Sequence, residues 1–301
     1  MRSLLTRPAP ALLAVGLVAL LVAAFAWLTR PQLLVAADLP RHVPDSANGE
    51  RLFHAGGCAS CHGAGLEGGL NITTAFGTFR VPNISPDAQA GIGSWTTLQF
   101  VNAMQRGVSP RGEHYYPAFP YPSYARMRLT DVIDLKGYLD SFEPVPVAVP
   151  GHDVGFPWNV RRGIGLWKMR YLDPGAVFTI PDGDEVLQRG RYLVEAVGHC
   201  GECHTPRDPW GGLRRAQWLA GGASPEGEGR VPNITPHADG LAAWSARDIE
   251  RYLKSGFTPD YDTVGGSMTQ VQENLARLPD SDRAAIAAYL KAIAPLPNPS
   301  G

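Results

Sequence analysis

The chain has 301 residues, of which 44% are hydrophobic, enough for two modest globular domains with separate cores. Its 27 basic and 28 acidic residues nearly cancel, and Arg2, Arg7 and Arg30 fall in an acid-free N-terminal stretch. The remainder is mildly acidic, the wrong balance for a nucleic-acid binder, while 34 glycines and 27 prolines argue against a tightly connected bundle and for short helices joined by long loops.

From Ala11 to Leu28 the chain is uncharged and mostly apolar. As a helix this run measures roughly 27 Å, against about 30 Å of bilayer hydrocarbon. It predicts a retained membrane anchor within residues 1–32; a signal peptide cleaved after Ala24 or Ala26 is the alternative. Either reading exports the rest of the chain. The flanking arginines support a cytoplasmic N-terminus only weakly.

The four cysteines fall as Cys58-Ala59-Ser60-Cys61-His62 and Cys200-Gly201-Glu202-Cys203-His204. This is Cys-x-x-Cys-His twice, the attachment signature of c-type haem. Two thiols at this spacing add across the vinyl groups on one porphyrin edge, and the next histidine, His62 or His204, meets the iron as proximal ligand. Competing readings are weaker. A disulfide or a thioredoxin-type pair leaves both histidines unexplained, and a four-thiolate zinc site wants its pairs some 15–20 residues apart.

The surroundings repeat as well. Gly49-Glu50-Arg51-Leu52 answers Gly190-Arg191-Tyr192-Leu193, and Arg80-Val81-Pro82-Asn83-Ile84 answers Arg230-Val231-Pro232-Asn233-Ile234. Trp95, Gly107 and Tyr138-Leu139 answer Trp244, Gly256 and Tyr289-Leu290. Two tandem domains follow, over 33–143 and 183–296, with a linker at 144–182 and a tail at 297–301. Each copy predicts three helical pieces: near 48–56, 96–107 and 130–141 in the first, and near 185–197, 245–256 and 281–293 in the second. Thr96 with Gln99 and Ser245 with Asp248 read as N-terminal caps, and Gly107 and Gly256 as stops. The linker is rich in proline but also holds Trp158, Trp167 and Tyr171, so an ordered strap is expected, with Arg161 or Arg162 as candidate partners of a haem propionate.

These features resemble the tandem class I cytochrome c family, and specifically the cytochrome c subunits of bacterial periplasmic dehydrogenases of alcohol, aldehyde or sugar type. The resemblance covers nearly everything after Asn48. It rests on Gly91-Ile92-Gly93-Ser94-Trp95, Tyr116-Pro117-Ala118-Phe119-Pro120-Tyr121, Arg161-Arg162-Gly163 with Gly165-Leu166-Trp167, and Gly266-Ser267-Met268. It implies an all-α fold, a transmembrane helix followed by two cytochrome c domains, and two covalently bound haem c groups with their iron. Many relatives carry three haems; this chain stops at two.

The resemblance also implies methionine as sixth ligand. Met268 stands in the loop where the family places it. In the first copy, Phe119 occupies the position of the relatives' methionine and cannot bind iron. Met127 is the first candidate there, although counting back from the paired tyrosines sets it opposite Leu278. His114 is the second, and an open iron the third. Met104 reads as core, and Met169 lies in the linker.

The function expected is electron transfer in a respiratory chain. A single-pass protein of the bacterial inner membrane, with its haem domains in the periplasm, would pass single electrons from a dehydrogenase to quinone, a terminal oxidase or a soluble cytochrome. No catalytic residue is assigned, and a subunit or carrier is favoured over an independent catalyst. The alternatives are a peroxidase-like di-haem enzyme with an open first haem, and a cytochrome subunit of a terminal oxidase.

Overall fold

The computed structural model describes residues 9–224 and 229–299; Arg2, Arg7 and the last two residues of the tail lie outside them. Helix α1 covers Ala9–Leu28 and is exposed from Ala11 to Leu28, the stretch long and apolar enough to cross a membrane. Its C-terminal end is built into the body. Thr29 is fully buried, and its carbonyl accepts a hydrogen bond from His114 Nε2 at 2.8 Å. Arg162 Nη2 donates to the Ala26 carbonyl at 2.6 Å. Carbonyls that a helix end leaves without partners are thus satisfied by distant parts of the chain.

The first half holds α2 (Ser46–Ala55) and α3 (Cys58–His62), then the antiparallel strands β1 (Asn71–Thr74) and β2 (Gly77–Arg80). It continues with α4 (Thr97–Arg106), α5 (Tyr121–Tyr124) and α6 (Leu129–Leu139). The linker carries α7 (Ile164–Tyr171). In the second half follow α8 (Glu185–Arg191), a π-helical turn (Tyr192–Val197) and α9 (Gly201–His204). Strands β3 (Gly222–Ala223) and β4 (Arg230–Val231) pair next, before α10 (Ala246–Ser255), α11 (Met268–Leu275) and α12 (Asp280–Ala292).

The expectation of a wholly helical fold therefore needs one correction: each half carries a small hairpin between its attachment motif and its next long helix. Thr73, Thr74, Thr78 and Phe79 suit a strand, and Gly77, at φ 133, makes a turn that other residues resist. The first hairpin also receives the linker, since Thr78 and Asp153 exchange backbone hydrogen bonds at 2.8 and 2.9 Å.

The helix signals are local and appear as read. Thr96–Gln99 and Ser245–Asp248 both close capping boxes, and Gly107 (φ 59) and Gly256 (φ 77) end α4 and α10 in the left-handed region. In each half the first helix crosses the last, α2 over α6 and α8 over α12, and the repeated glycines mark the crossings. A methyl group on Gly49 would stand 2.7 Å from Tyr138 Cβ, and one on Gly190 2.8 Å from Tyr289 Cβ. Leu52, Phe100 and Leu135 in one half, with Leu193, Ile249 and Ile286 in the other, are buried around these crossings. Each such side chain contributes about 1.5–3 kcal/mol on leaving water.

Candidate haem-binding site

Both attachment motifs start from the end of a first helix. Gly57, at φ 58, turns the chain out of α2 into α3. In the second half the π turn ends at Gly198, and His199, at φ 39, makes the corresponding reversal. The two motifs then present the same pattern. Cys58 and Cys200 are half-buried, and Cys61 and Cys203 are exposed. Burial pushes the Cys58 and Cys200 thiols up to about 12, unlike the low-pKa thiolate of a redox-active pair.

The histidines are held in one tautomer. His62 Nδ1 donates to the Pro82 carbonyl at 2.8 Å, and His204 Nδ1 donates to the Pro232 carbonyl at 2.8 Å. That leaves Nε2 of each ring as the lone-pair nitrogen, the form that binds iron. Burial lowers His62 to about 4, with the Pro82 bond opposing it, and lowers His204 too. Both rings are therefore neutral at physiological pH. Each motif is fastened from behind as well. Gly68 N bonds the His62 carbonyl and Gly221 N the His204 carbonyl, both at 2.7 Å. Both glycines have positive φ (74 and 82) and leave no room for a side chain. Asn83 then ties the first Val-Pro-Asn segment to the start of the linker, through the Val145 and Val147 carbonyls, and Asn233 ties the second to the end of its half, through the Leu296 carbonyl.

Sequence reading noticed the Val-Pro-Asn repeat but gave Pro82 and Pro232 no role; the near-identity of the two segments was the signal. It also missed the Gly68–Gly221 pair, which the shared pattern Leu66-x-Gly68-Gly69 and Leu219-x-Gly221-Gly222 announces.

The candidates for a sixth ligand separate. His114 is buried with both nitrogens engaged, Nε2 donating to Thr29 and Nδ1 accepting from Lys168 Nζ at 3.1 Å. Met169 is 66% exposed on α7. Met104 is core, as Leu253 is in the other half. Met127 is buried and shares the walls of a small apolar cavity with Cys58, Tyr124 and Met104. Met127 and Leu278 also close equivalent turns, their amides bonding to Tyr124 and Leu275 three residues back. Met268 begins α11, half-buried against the core. Phe119 packs its ring against Tyr115 and Tyr124. Arg161 bonds the His114 carbonyl at 3.2 Å and Arg162 the Ala26 carbonyl, both at the junction with α1.

The halves meet through their attachment turns. A methyl group on Gly56 would stand 3.4 Å from the Val197 carbonyl oxygen, and one on Gly198 3.4 Å from that of Ala55. His199 Nε2 reaches the Gly56 carbonyl at 3.2 Å. Asn274 Nδ2 donates to Ser60 Oγ at 3.1 Å, and Ser123 Oγ donates to Glu202 Oε1 at 2.8 Å. Ser60 and Glu202 hold the same place in the two motifs, so each half grips the other's motif in the same manner.

Two thiols and one oriented, neutral imidazole, repeated, fit two c-type haems. When bound there, haem supplies an iron that takes up and releases one electron. The comparisons agree. The cytochrome c family model matches residues 46–143. The chain is 50% identical to a diheme cytochrome c-type protein of Cereibacter sphaeroides, over 93% of this chain and 97% of that one. It is 36% identical to the fructose dehydrogenase cytochrome subunit of Gluconobacter japonicus and 35% identical to the cytochrome c subunit of the quinone alcohol dehydrogenase of Gluconacetobacter polyoxogenes. Of those longer subunits it spans 53% and 61%. With its two attachment motifs and two covalent haem c groups, the chain belongs to the di-haem c-type cytochromes.

Proposed function

We propose that this cytochrome relays single electrons from a periplasmic dehydrogenase to quinone or a terminal oxidase, its two halves being tandem cytochrome c domains held at the inner membrane by α1. The observation that carries this reading is the back-to-back contact of the attachment turns at Gly56 and Gly198, which brings the two haem-binding segments together without intervening side chains. Electron transfer between the halves needs such a close approach, and carbon monoxide binding separates the relay from a di-haem enzyme. The relatives that serve dehydrogenases support the donor side. Retention of α1 is supported by its last turn, because cleavage after Ala26 would remove the carbonyl that Arg162 binds.

His62 and His204 serve as proximal ligands, with Met268 completing the second site and Met127 the first. Met127 is favoured over His114 because it shares a cavity with Cys58, whereas both His114 nitrogens are already bonded. One specific observation favours a second reading, an open first iron and redox chemistry on a small bound molecule: Met127 stands where the other half has Leu278, which cannot bind iron. Carbon monoxide added to the reduced, membrane-embedded protein separates the two. No binding supports the relay, and rapid stoichiometric binding at one haem overturns it. Purification of the tagged chain from its own membranes tests the partner: recovery of a dehydrogenase subunit supports the reading, and recovery of an oxidase core alone overturns the donor assignment.

A further inference from the structure

We infer that α7 lies along the surface of the bilayer, with Leu166 and Met169 dipping among the lipid headgroups as a second membrane contact beside α1. The inference rests on the reading of α1 as a membrane anchor. Its starting point is height. The apolar run of α1 ends at Leu28, and Trp27, 62% exposed, carries Arg30 over its ring at 5.1 Å. An aromatic ring and an arginine at the end of an apolar helix mark the headgroup level. Arg162, just before α7, donates to the carbonyl of Ala26, about 3 Å further along the helix axis toward the hydrocarbon than Leu28. The start of α7 is therefore at the same level.

Its orientation follows from its contacts. Gly165 packs on the end of α1 so closely that a methyl group would stand 2.7 Å from Thr29 Cα. Lys168, three positions on and so on the neighbouring part of the helix face, is buried and extends into the first half, where Nζ donates to the Arg106 and Gly107 carbonyls at 2.6 and 2.7 Å. Leu166 and Met169 follow Arg162 at helical spacings of four and seven, on the stripe whose first member reaches down to α1. They are 46% and 66% exposed, large apolar side chains left in part uncovered by the protein. The charge fits anionic lipid. Residues 154–172 contain no acid, while Arg161, Arg162 and Arg170 are basic; Lys168 is buried and does not count. A short helix with apolar side chains on one stripe and cations beside it suits the interface plane. With α1 this second contact fixes the tilt of the haem-bearing body over the membrane, which a single helix cannot do.

The test uses the full chain with both haems in its native membranes. The photoreactive residue benzoylphenylalanine is placed singly at Leu166, Met169, Leu20 within α1, and Tyr261, an 88% exposed residue of the second half. Adducts are identified by mass after irradiation, and the haem spectrum confirms folding. If replacement of Leu166 disturbs α7, Met169 decides alone, since its side chain is the more exposed. Lipid adducts at Leu20 and Met169 but not at Tyr261 support the inference. Lipid at Leu20 with none at Met169, or a protein adduct at Met169, overturns it and leaves the anchor standing. No lipid at Leu20 overturns the anchor reading, and the inference with it.

Discussion

Ser123, in the first half, donates its hydroxyl hydrogen to Glu202 Oε1 at 2.8 Å, inside the attachment motif of the second. The reciprocal bond, Asn274 to Ser60 at 3.1 Å, makes the seam symmetrical. Bonds of this kind contribute about 0.5–1.5 kcal/mol each, more when one partner is charged. The combined variant Ser123→Ala with Asn274→Ala should therefore loosen the halves without loss of haem. Replacing Gly56 with Leu goes further, because a side chain larger than a methyl group is set between the Leu52 carbonyl, 3.2 Å from its Cβ, and the Val197 carbonyl, 3.4 Å away. Electron equilibration between the haems after flash reduction should slow in both variants, more in Gly56→Leu; an unchanged rate would show that the seam is not the route.

Axial ligation is checked by Met268→Leu and Met127→Leu. Each change nearly conserves volume, so the cost in packing should stay under about 1.5 kcal/mol. Loss of a sulfur ligand instead removes the methionine–ferric haem absorption in the far red and lowers one midpoint potential. The expected outcome is one potential lowered by each variant, and both by the pair. A Met127→Leu protein with both potentials intact would assign Met127 to the core beside Leu278.

What the sequence made legible and what it hid follow one rule, the range over which a residue finds its partners. Cys58, Cys61 and His62 act within five positions, and Thr96 caps through Gln99 three residues on, so spacing was enough. His114 read as a candidate ligand because its partners, Thr29 and Lys168, lie 85 and 54 residues away and leave no local trace. The first hairpin is only partly such a case: its own pairs are local, Thr74 facing Gly77, while the bond from Thr78 of β2 to Asp153 of the linker reaches 75 residues on. The π turn at Tyr192–Val197 has no Gly or Pro to announce it; it coincides with the Tyr192 hydroxyl reaching Asp131 in the other half.

Glu195 offers a stability test in the core of the second half. It is almost fully buried, yet its carboxylate accepts from the Tyr289 hydroxyl at 2.6 Å and from the amides of Val177 and Phe178 at 2.7 and 2.9 Å. It therefore pins the end of the linker to the second half. Glu195→Ala leaves three donors unpaired and should cost about 2–4 kcal/mol in denaturant unfolding. Glu195→Gln keeps acceptor capacity and should lose less. Equal stability of all three proteins would mean that water replaces the carboxylate.

Lys168 should leave a signature in the pH dependence of stability. Burial lowers its ammonium from the ordinary 10.5 to about 7, although the Arg106 and Gly107 carbonyls and His114 Nδ1 all accept from it. Between those two values the unfolded chain holds a proton that the folded chain lacks, so unfolding takes up a proton and stability rises with pH. The slope is at most about 1.4 kcal/mol per pH unit, and it vanishes below pH 7, where both states are protonated. Because the three acceptors favour the charged form, a slope well below that ceiling would mean that they hold the proton against burial. Lys168→Met removes the group and should flatten the profile between pH 7 and 10, measured as the urea midpoint of the detergent-solubilised protein. It also leaves the two carbonyls unpaired, so the variant should be less stable than the parent at every pH, with the gap widening as pH rises.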